Sequence, residues 1–495
     1  MHETTVASVL RERARTRGEH DLLVCDADRL TYAAAERRSA LLARGLISLG
    51  AGKGTRIGLL APNGSGFVCR MLAAARIGAV VVPFTTFSTA RELREQLADA
   101  DVAILLSVRG FRGHDYVTRL AEAREGALLP SLRHVLFEDD PDARGVSETY
   151  LRAVEDDVDG ADPLSIIYTS GSTSRPKGAI HTHASLIAHQ RNLNGIRGLT
   201  ADDRLFCNSP FFWIGGFGFG LLATLVAGAT LICSNAVDTS DTLDLLETER
   251  PTLTNGFAAG VAHLARHPGL GDRDLSSMRR GNLYPIMAPD ARPADPELRH
   301  NMLGMTEAGG TYLLSGDEAD QPEAQRGSYG MPAPGFATRV EPDGELCIRG
   351  PYLMQRYHRR SREQCFDADG WFHTGDLVRV DAEGFYHYLG RSGAMIKTAG
   401  ANVSPVEVAN AITRVTGCNA YVLGLPDADR GQLVAAVVAL PDERPFDDAA
   451  VRAALKAELS SYKVPRRMIG LPAARIPLLS SGKVDGRALP ELFDD

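Results

Sequence analysis

The chain has 495 residues, more than one hydrophobic core can organise, so two or more domains are expected. Hydrophobic residues at 44 % and charged residues at 23 % fit a globular protein and exclude wholesale disorder. The net charge of -8 comes with no basic runs, which leaves no electrostatic case for a nucleic-acid partner.

The N-terminal stretch MHETTVASVLRERARTRG is charged throughout its first helix-like segment and lacks the apolar core of a secretory signal. Apolar, β-rich runs then alternate with helix-like stretches. Strands are predicted at Arg56–Leu60, Ala79–Pro83, Val102–Ser107, His134–Phe137, Ser165–Tyr168, Leu205–Asn208 and Ala229–Cys233, with a helix over Gly66–Ile77. Continuous apolar strands alternating with helices predict parallel sheets covered on both faces. The run Phe211–Cys233 holds 23 uncharged residues, long enough to span a bilayer. Its five glycines and the absence of flanking positive charge favour a buried Gly-rich loop, helix and short strand. After about Glu341, short segments with Gly turns predict a small antiparallel piece. The tail carries strands at Tyr421–Leu425 and Leu433–Ala439, and a helix opened by Asp447 and Asp448 with Val451, Leu455 and Leu459 on one stripe. The fold class is therefore α/β. A large N-terminal domain of layered sheets, with a small antiparallel subdomain, precedes a small mobile α+β C-terminal domain. Boundaries are placed at 1–390, a hinge at 391–394, and 395–495. Seven scattered cysteines form no C-x-x-C and fit a reducing, cytoplasmic compartment.

The most specific motif is SIIYTSGSTSRPKG, Ser165–Gly178. A strand ending at Tyr168 delivers Thr169, Ser170, Gly171, Ser172 and Thr173, then Lys177. Backbone N–H groups, small hydroxyls and one ammonium in such a loop suit phosphate oxygens. The spacing is not that of a Walker A loop.

This segment resembles the phosphate loop of the acyl-CoA synthetase, adenylation-domain and luciferase superfamily of adenylate-forming enzymes, with Ser174 where Gly is usual. Further motifs recur in that family's order over nearly the whole chain. LGMTE at Leu303–Glu307 resembles the nucleotide and metal motif. By resemblance Leu303 and Gly304 flank the nucleotide, Thr306 contacts phosphate and Glu307 holds Mg²⁺, for which a hard oxygen ligand is suited. GWFHTGDLV at Gly370–Val378 matches the motif whose carboxylate, here Asp376, accepts the ribose hydroxyls. GRSGAMIKTAG from Gly390 resembles the hinge and glycine loop: Arg391 would touch ribose or phosphate, Lys397 would assist thioester formation, and Gly400 with Ala401 would line the pantetheine tunnel. SSGKV at Ser480–Val484 makes Lys483 the lysine that bridges the attacking carboxylate and the α-phosphate.

The resemblance implies ATP, Mg²⁺ and coenzyme A as cosubstrates and cofactor, and a small carboxylic acid as substrate. No nucleic-acid partner and no membrane span are expected, and a homodimer is left open. PFFWIG at Pro210–Gly215 carries Trp213 where relatives have His, so Phe212, Trp213, Gly215 and Phe217 are candidates for an apolar acyl pocket taking a fatty or polycyclic acid. Leu303 replaces the usual aromatic, Gly393 the usual hinge Asp, and the interval from Asp274–Ser277 to Leu303 is short. Three alternatives stand beside an acid:CoA ligase: an enzyme limited to thioesterification of supplied acyl-AMP, one using a carrier-protein pantetheine, and a non-catalytic nucleotide or acyl-AMP binder. Joint retention of Lys177, Glu307, Asp376, Arg391, Lys397 and Lys483 argues against the last.

Overall fold

The computed structural model describes residues 4–126, 128–169, 177–256, 258–391, 395–441, 445–477, 484–486 and 488–493. Two large sheets form its body. One has seven strands in the order 356–357, 177–182, 163–169, 80–83, 56–60, 104–107 and 134–137. The other has six, in the order 280–281, 253–255, 204–207, 230–233, 21–25 and 28–31.

Between the sheets lies the main core, where Leu23 and Leu231 of one sheet and Ile57 and Leu59 of the other enclose the helix Ser65–Arg76. That helix is Ala-rich at 73–75, which lets both sheets approach its backbone, and its residues Phe67 to Arg76 are all buried. Arg76 is tolerated there because Glu36 and Glu155 pair with it; a buried guanidinium without partners would be strongly destabilising. The outer face of the seven-stranded sheet packs on helices Ala90–Asp99 and Tyr116–Arg124, and that of the six-stranded sheet on Thr239–Glu249. Five layers result.

The predicted strands all form, within a few residues of their expected ends. The sheets are mixed rather than purely parallel. Strands 163–169, 177–182 and 356–357 pair antiparallel, as do 21–25 and 28–31. These antiparallel pairs bring each sheet to its edge, at strand 356–357 in one and strand 28–31 in the other. The Gly-rich run is also different from expectation. Instead of a loop, helix begins at Ile214, passes through a π-turn at Phe217–Leu222 and ends at Ala227 before the strand Thr230–Cys233. The glycines are there for close approach: a Cβ on Gly216 would lie 2.1 Å from the Pro210 carbonyl oxygen. No helix among the described residues is long and apolar enough to cross a membrane.

A second core joins a three-stranded sheet (303–305, 310–314, 331–332) to an antiparallel four-stranded sheet (337–340, 345–349, 372–380, 386–391). A smaller C-terminal domain has five strands among the described residues, with helices Pro405–Thr416 and Asp448–Glu458 on one face. Asp447 caps the second helix by accepting from the Ala450 N–H at 2.9 Å, and Leu455 and Leu459 are buried beneath it.

Candidate active site

Three chain segments converge at the top of the seven-stranded sheet. Thr169 ends one strand and Lys177 starts the next, and the two residues are paired across the ladder. Residues 170–176, and with them Ser170, Gly171, Ser172 and Thr173, lie outside the described residues. The edge strand places Tyr357 opposite Ala179. The Lys177 ammonium sits 5.3 Å from the Tyr357 ring centre, and the Tyr357 hydroxyl donates to Glu307 Oε1 at 2.6 Å.

Glu307 is buried, and its second carboxylate oxygen meets no hydrogen-bond donor among the described residues. The 306–308 turn carrying it is braced from the same strand, where His181 Nε2–H donates to the Thr306 carbonyl at 2.7 Å. Gly304 is required by its own hairpin, since a Cβ there would meet Gly310 O and Thr311 Cα at 2.9 Å. Leu303 turns inward, 4 % exposed, into the core with Leu193, Phe219 and Leu313.

The same hairpin reaches Asp376. Tyr312, on the strand Gly310–Leu314, donates its hydroxyl to Asp376 Oδ2 at 3.2 Å. Asp376 is 4 % exposed and its N–H donates to Thr374 Oγ1 at 3.0 Å, while Thr374 in turn donates to the Leu346 carbonyl at 2.6 Å. Gly375, at φ +74°, turns the strand there, and its N–H donates to Glu345 Oε1 at 2.8 Å. Glu345 also accepts from His373, and this hydrogen bond raises the imidazole pKa above its ordinary value. Thus Lys177, Tyr357 and Glu307 form one linked group of side chains and Tyr312 with Asp376 a second, the two joined through the chain segment that carries Glu307 and Tyr312. Neither tyrosine stands out in the sequence, because each earns its place only through strand register.

The other candidates are more distributed. Arg391 ends the strand paired with Asp376 through its backbone, while its side chain and residues 392–394 lie outside the described residues. Lys397 holds its ammonium 4.8 Å from the ring centre of Tyr388, which neighbours the Asp376-bearing strand. Ala399 (φ +48°) and Gly400 (φ +84°) form a two-residue turn of the left-handed type, closing the hairpin before Ala401. Lys483 lies outside the described residues.

The aromatic candidates separate. Phe217 is fully buried in the main core, as is Phe211 against Phe67 at 5.5 Å. Phe212 and Trp213 turn the other way, 5.4 Å apart and edge-on, and both rings meet Phe87. Trp213 is half-buried, and Gly215 is neighboured by Ser209.

Two family profiles match: the AMP-binding enzyme over residues 10–358, and the AMP-binding enzyme C-terminal domain over 407–483. The chain belongs to the AMP-binding enzyme family. Among curated relatives of this AMP-binding enzyme, a "3-[(3aS,4S,7aS)-7a-methyl-1,5-dioxo-octahydro-1H-inden-4-yl]propanoyl:CoA ligase" of Mycobacterium tuberculosis is 31 % identical, covering 99 % of each chain. A feruloyl-CoA synthase of an Amycolatopsis species is 33 % identical over 92 % of each. The fold is shared with the o-succinylbenzoate CoA synthetase MenE of Bacillus subtilis (TM-score 0.77, 22 % identity, 98 % of each chain). It is also shared with the amide bond synthetase McbA of Marinactinospora thermotolerans (TM-score 0.82, 24 % identity, 99 % and 100 %).

Three buried histidines, His181 on the strand 177–182 and His183 and His189 on the helix His183–Arg197, give a pH-dependent prediction. His181 and His183 are pushed down to about 4 and His189 to about 3, in each case mainly by burial. His183 Nδ1 accepts from the Val6 N–H at 3.2 Å, which requires the neutral ring. An unfolded chain protonates these rings near pH 6.5, so between about pH 6.5 and 4 it binds more protons than the folded one. Stability is therefore fully present above that window and falls as pH drops through it, by roughly 2 kcal/mol per ring from pH 7 to pH 5. Urea denaturation at the two pH values should show a clearly lower midpoint at pH 5. Equal midpoints would contradict the assignment of neutral buried rings.

Proposed function

We propose that this enzyme is an ATP-dependent carboxylic acid:CoA ligase that works through an acyl adenylate on an apolar, fatty or polycyclic, acid. The observation that carries the reading is the pair of groups Lys177–Tyr357–Glu307 and Tyr312–Asp376, which puts one ammonium and two buried carboxylates on adjoining elements. Domains at 1–390 and 395–495, joined by a hinge at 391–394, are part of the proposal.

In the first step a carboxylate oxygen of the acid attacks the α-phosphorus of ATP and the bond to pyrophosphate breaks. Two anions must meet, so the chain has to neutralise charge as it builds. Lys177 and the 169–173 loop would hold the β- and γ-phosphates, Thr306 the α-phosphate and Asp376 with Arg391 the ribose. Lys483 would lie between carboxylate and phosphate. The Glu307 oxygen that meets no donor among the described residues suits a single protein ligand to Mg²⁺, an ion that commonly combines one or two carboxylates with substrate phosphates and neutralises their charge when bound. Tyr357 keeps the other oxygen occupied and so aims the carboxylate.

In the second step the thiol of coenzyme A attacks the acyl carbon and AMP leaves. Lys397 and the Ala399–Gly400 turn would guide the pantetheine. The hydrocarbon of the acid is assigned to Phe212, Trp213 and Gly215. Both relatives named above carry cyclic acids in their names, and the wide, half-buried indole of Trp213 suits such a group. A cytoplasmic setting fits seven free cysteines.

A panel of fatty, aryl and polycyclic acids, assayed for AMP release with and without CoA, tests the reading. The expected result is CoA-dependent AMP release with at least one apolar acid. Conversion of supplied acyl-AMP without adenylation of any acid would replace it by the half-reaction reading. Inertness in both assays would overturn it.

A further inference from the structure

Lys463 is 6 % exposed, an unusual place for an ammonium. Its Nζ lies 2.7 Å from Glu92 Oε1 and 2.8 Å from Glu407 Oε1. Glu92 belongs to the helix Ala90–Asp99 of the N-terminal domain, whereas Glu407 and Lys463 belong to the C-terminal domain. Ser460, also C-terminal, donates its hydroxyl to Glu92 Oε2 at 2.6 Å. Burial opposes charge on both carboxylates. The ammonium overrides that opposition at Glu92, whose pKa is lowered, and fails to do so at Glu407, whose pKa is raised.

The neighbouring ring extends the contact. Tyr462 packs edge-on against Phe87 at 5.9 Å and against Trp213 at 6.3 Å. So the C-terminal domain touches the aromatic group assigned to the acyl pocket. Around this centre the interdomain pairs are more exposed: Arg91 pairs with Glu458, and Arg266 with Asp429 at 2.6 Å, both sides of the latter pair largely exposed. Exposed pairs of that kind contribute little.

A buried charge cluster adds modest net stability, because desolvation offsets attraction, but it is intolerant of displacement. Sliding the domains by a few ångströms would strand Glu92 without its cation, whereas full separation hydrates every partner. Two arrangements, docked and undocked, are therefore favoured over intermediates.

We propose that Glu92, Ser460 and Lys463 form an interdomain pin that selects this docked arrangement, and that Tyr462 links the pin to the acyl site through Trp213. Glu92, Lys463 and Tyr462 are then positioning residues, needed for the half-reaction carried out docked and released for the other. The kinetic consequence rests on the two-step ligase reading; the pin itself does not.

Glu92→Gln in the full chain tests it. The amide can still accept from Thr89 and so keep the helix cap, which the carboxylate now closes at 2.9 Å, while the charge is lost. Small-angle scattering without substrate should give a larger radius of gyration than the parent, with a melting temperature within a few degrees of it. Pyrophosphate exchange and CoA transfer from supplied acyl-AMP should separate, one falling about tenfold and the other unchanged or faster. Arg266→Ala, at the exposed pair, should alter neither. Tyr462→Leu should raise KM for the acid and leave KM for ATP unchanged. An unchanged radius of gyration overturns the pin, as does an equal change in both half-reactions; equal KM changes for acid and ATP overturn the link to Trp213. If the parent adenylates no acid, the ligase reading fails while scattering still decides on the pin.

Discussion

Lys483→Ala should lower acyl-adenylate formation roughly 10³-fold or more, in line with removing a single preorganised charge from a transition state. Transfer of a supplied acyl-AMP to CoA should stay close to its native rate. The reason lies in what each step must neutralise. A carboxylate approaching an α-phosphate meets a second anion, and a lysine between them lowers that repulsion most at the transition state. Thiol attack on an acyl adenylate has no such approach of two anions, and AMP departs with a stable charge. Measuring pyrophosphate exchange and thioester formation separately reads the two effects. Equal loss in both would remove Lys483 from its assigned role.

Glu307→Gln should produce the second-largest effect, with adenylation falling on the order of 10²- to 10³-fold. The amide oxygen can still accept the Tyr357 hydroxyl that Glu307 Oε1 accepts at 2.6 Å, so the turn and the fold should survive. What goes is one negative charge, and with it the divalent-cation ligand that the proposed reading assigns to Glu307. The Mg²⁺ concentration for half-maximal adenylation should rise, and CoA transfer from acyl-AMP, which needs no pyrophosphate neutralised, should change much less. Tyr357→Phe, which leaves the charge and removes only its aim, should cost about tenfold. A Glu307 variant with native adenylation and native Mg²⁺ dependence would contradict the site as described.

Sequence alone carried the large-scale architecture because its signals are local. Runs such as Arg56–Leu60 and His134–Phe137 are apolar after their first residue, and they form strands with those bounds. The antiparallel edges are not legible in the sequence, since pairing direction depends on connections that a strand's own residues do not encode. The Gly-rich run misled for a different reason. Glycine disfavours helix intrinsically, but Gly216, Gly218 and Gly220 lie where a helix must approach Pro210, Gly309 and Cys207 closely, and packing overrides propensity.

At the site, motif residues were legible because residue type carries the chemistry: one lysine after a small-residue loop, one glutamate in LGMTE, one aspartate after Gly375. Their partners were not. Tyr357 reaches Glu307 because Tyr357 is registered against Ala179, and Tyr312 reaches from the three-stranded sheet to Asp376 in the four-stranded one. Such tyrosines read as ordinary strand residues in the sequence. Trp213 reads as either core or pocket wall, and its half-buried position among Phe87, Phe212 and Tyr462 depends on a residue 249 positions further along the chain. Lys463 reads as a surface charge until Glu92, from another domain, is set beside it.

The most direct test of the two-step account follows one oxygen atom. An accepted acid carrying ¹⁸O in both carboxylate positions is incubated with enzyme, ATP and CoA, and the AMP is analysed by mass spectrometry. Attack of the carboxylate on the α-phosphorus, followed by cleavage of the acyl–oxygen bond by the thiol, must leave one ¹⁸O in AMP and one in the thioester. That is the result the account predicts. Thioester formed with unlabelled AMP, or with ADP in its place, would contradict it.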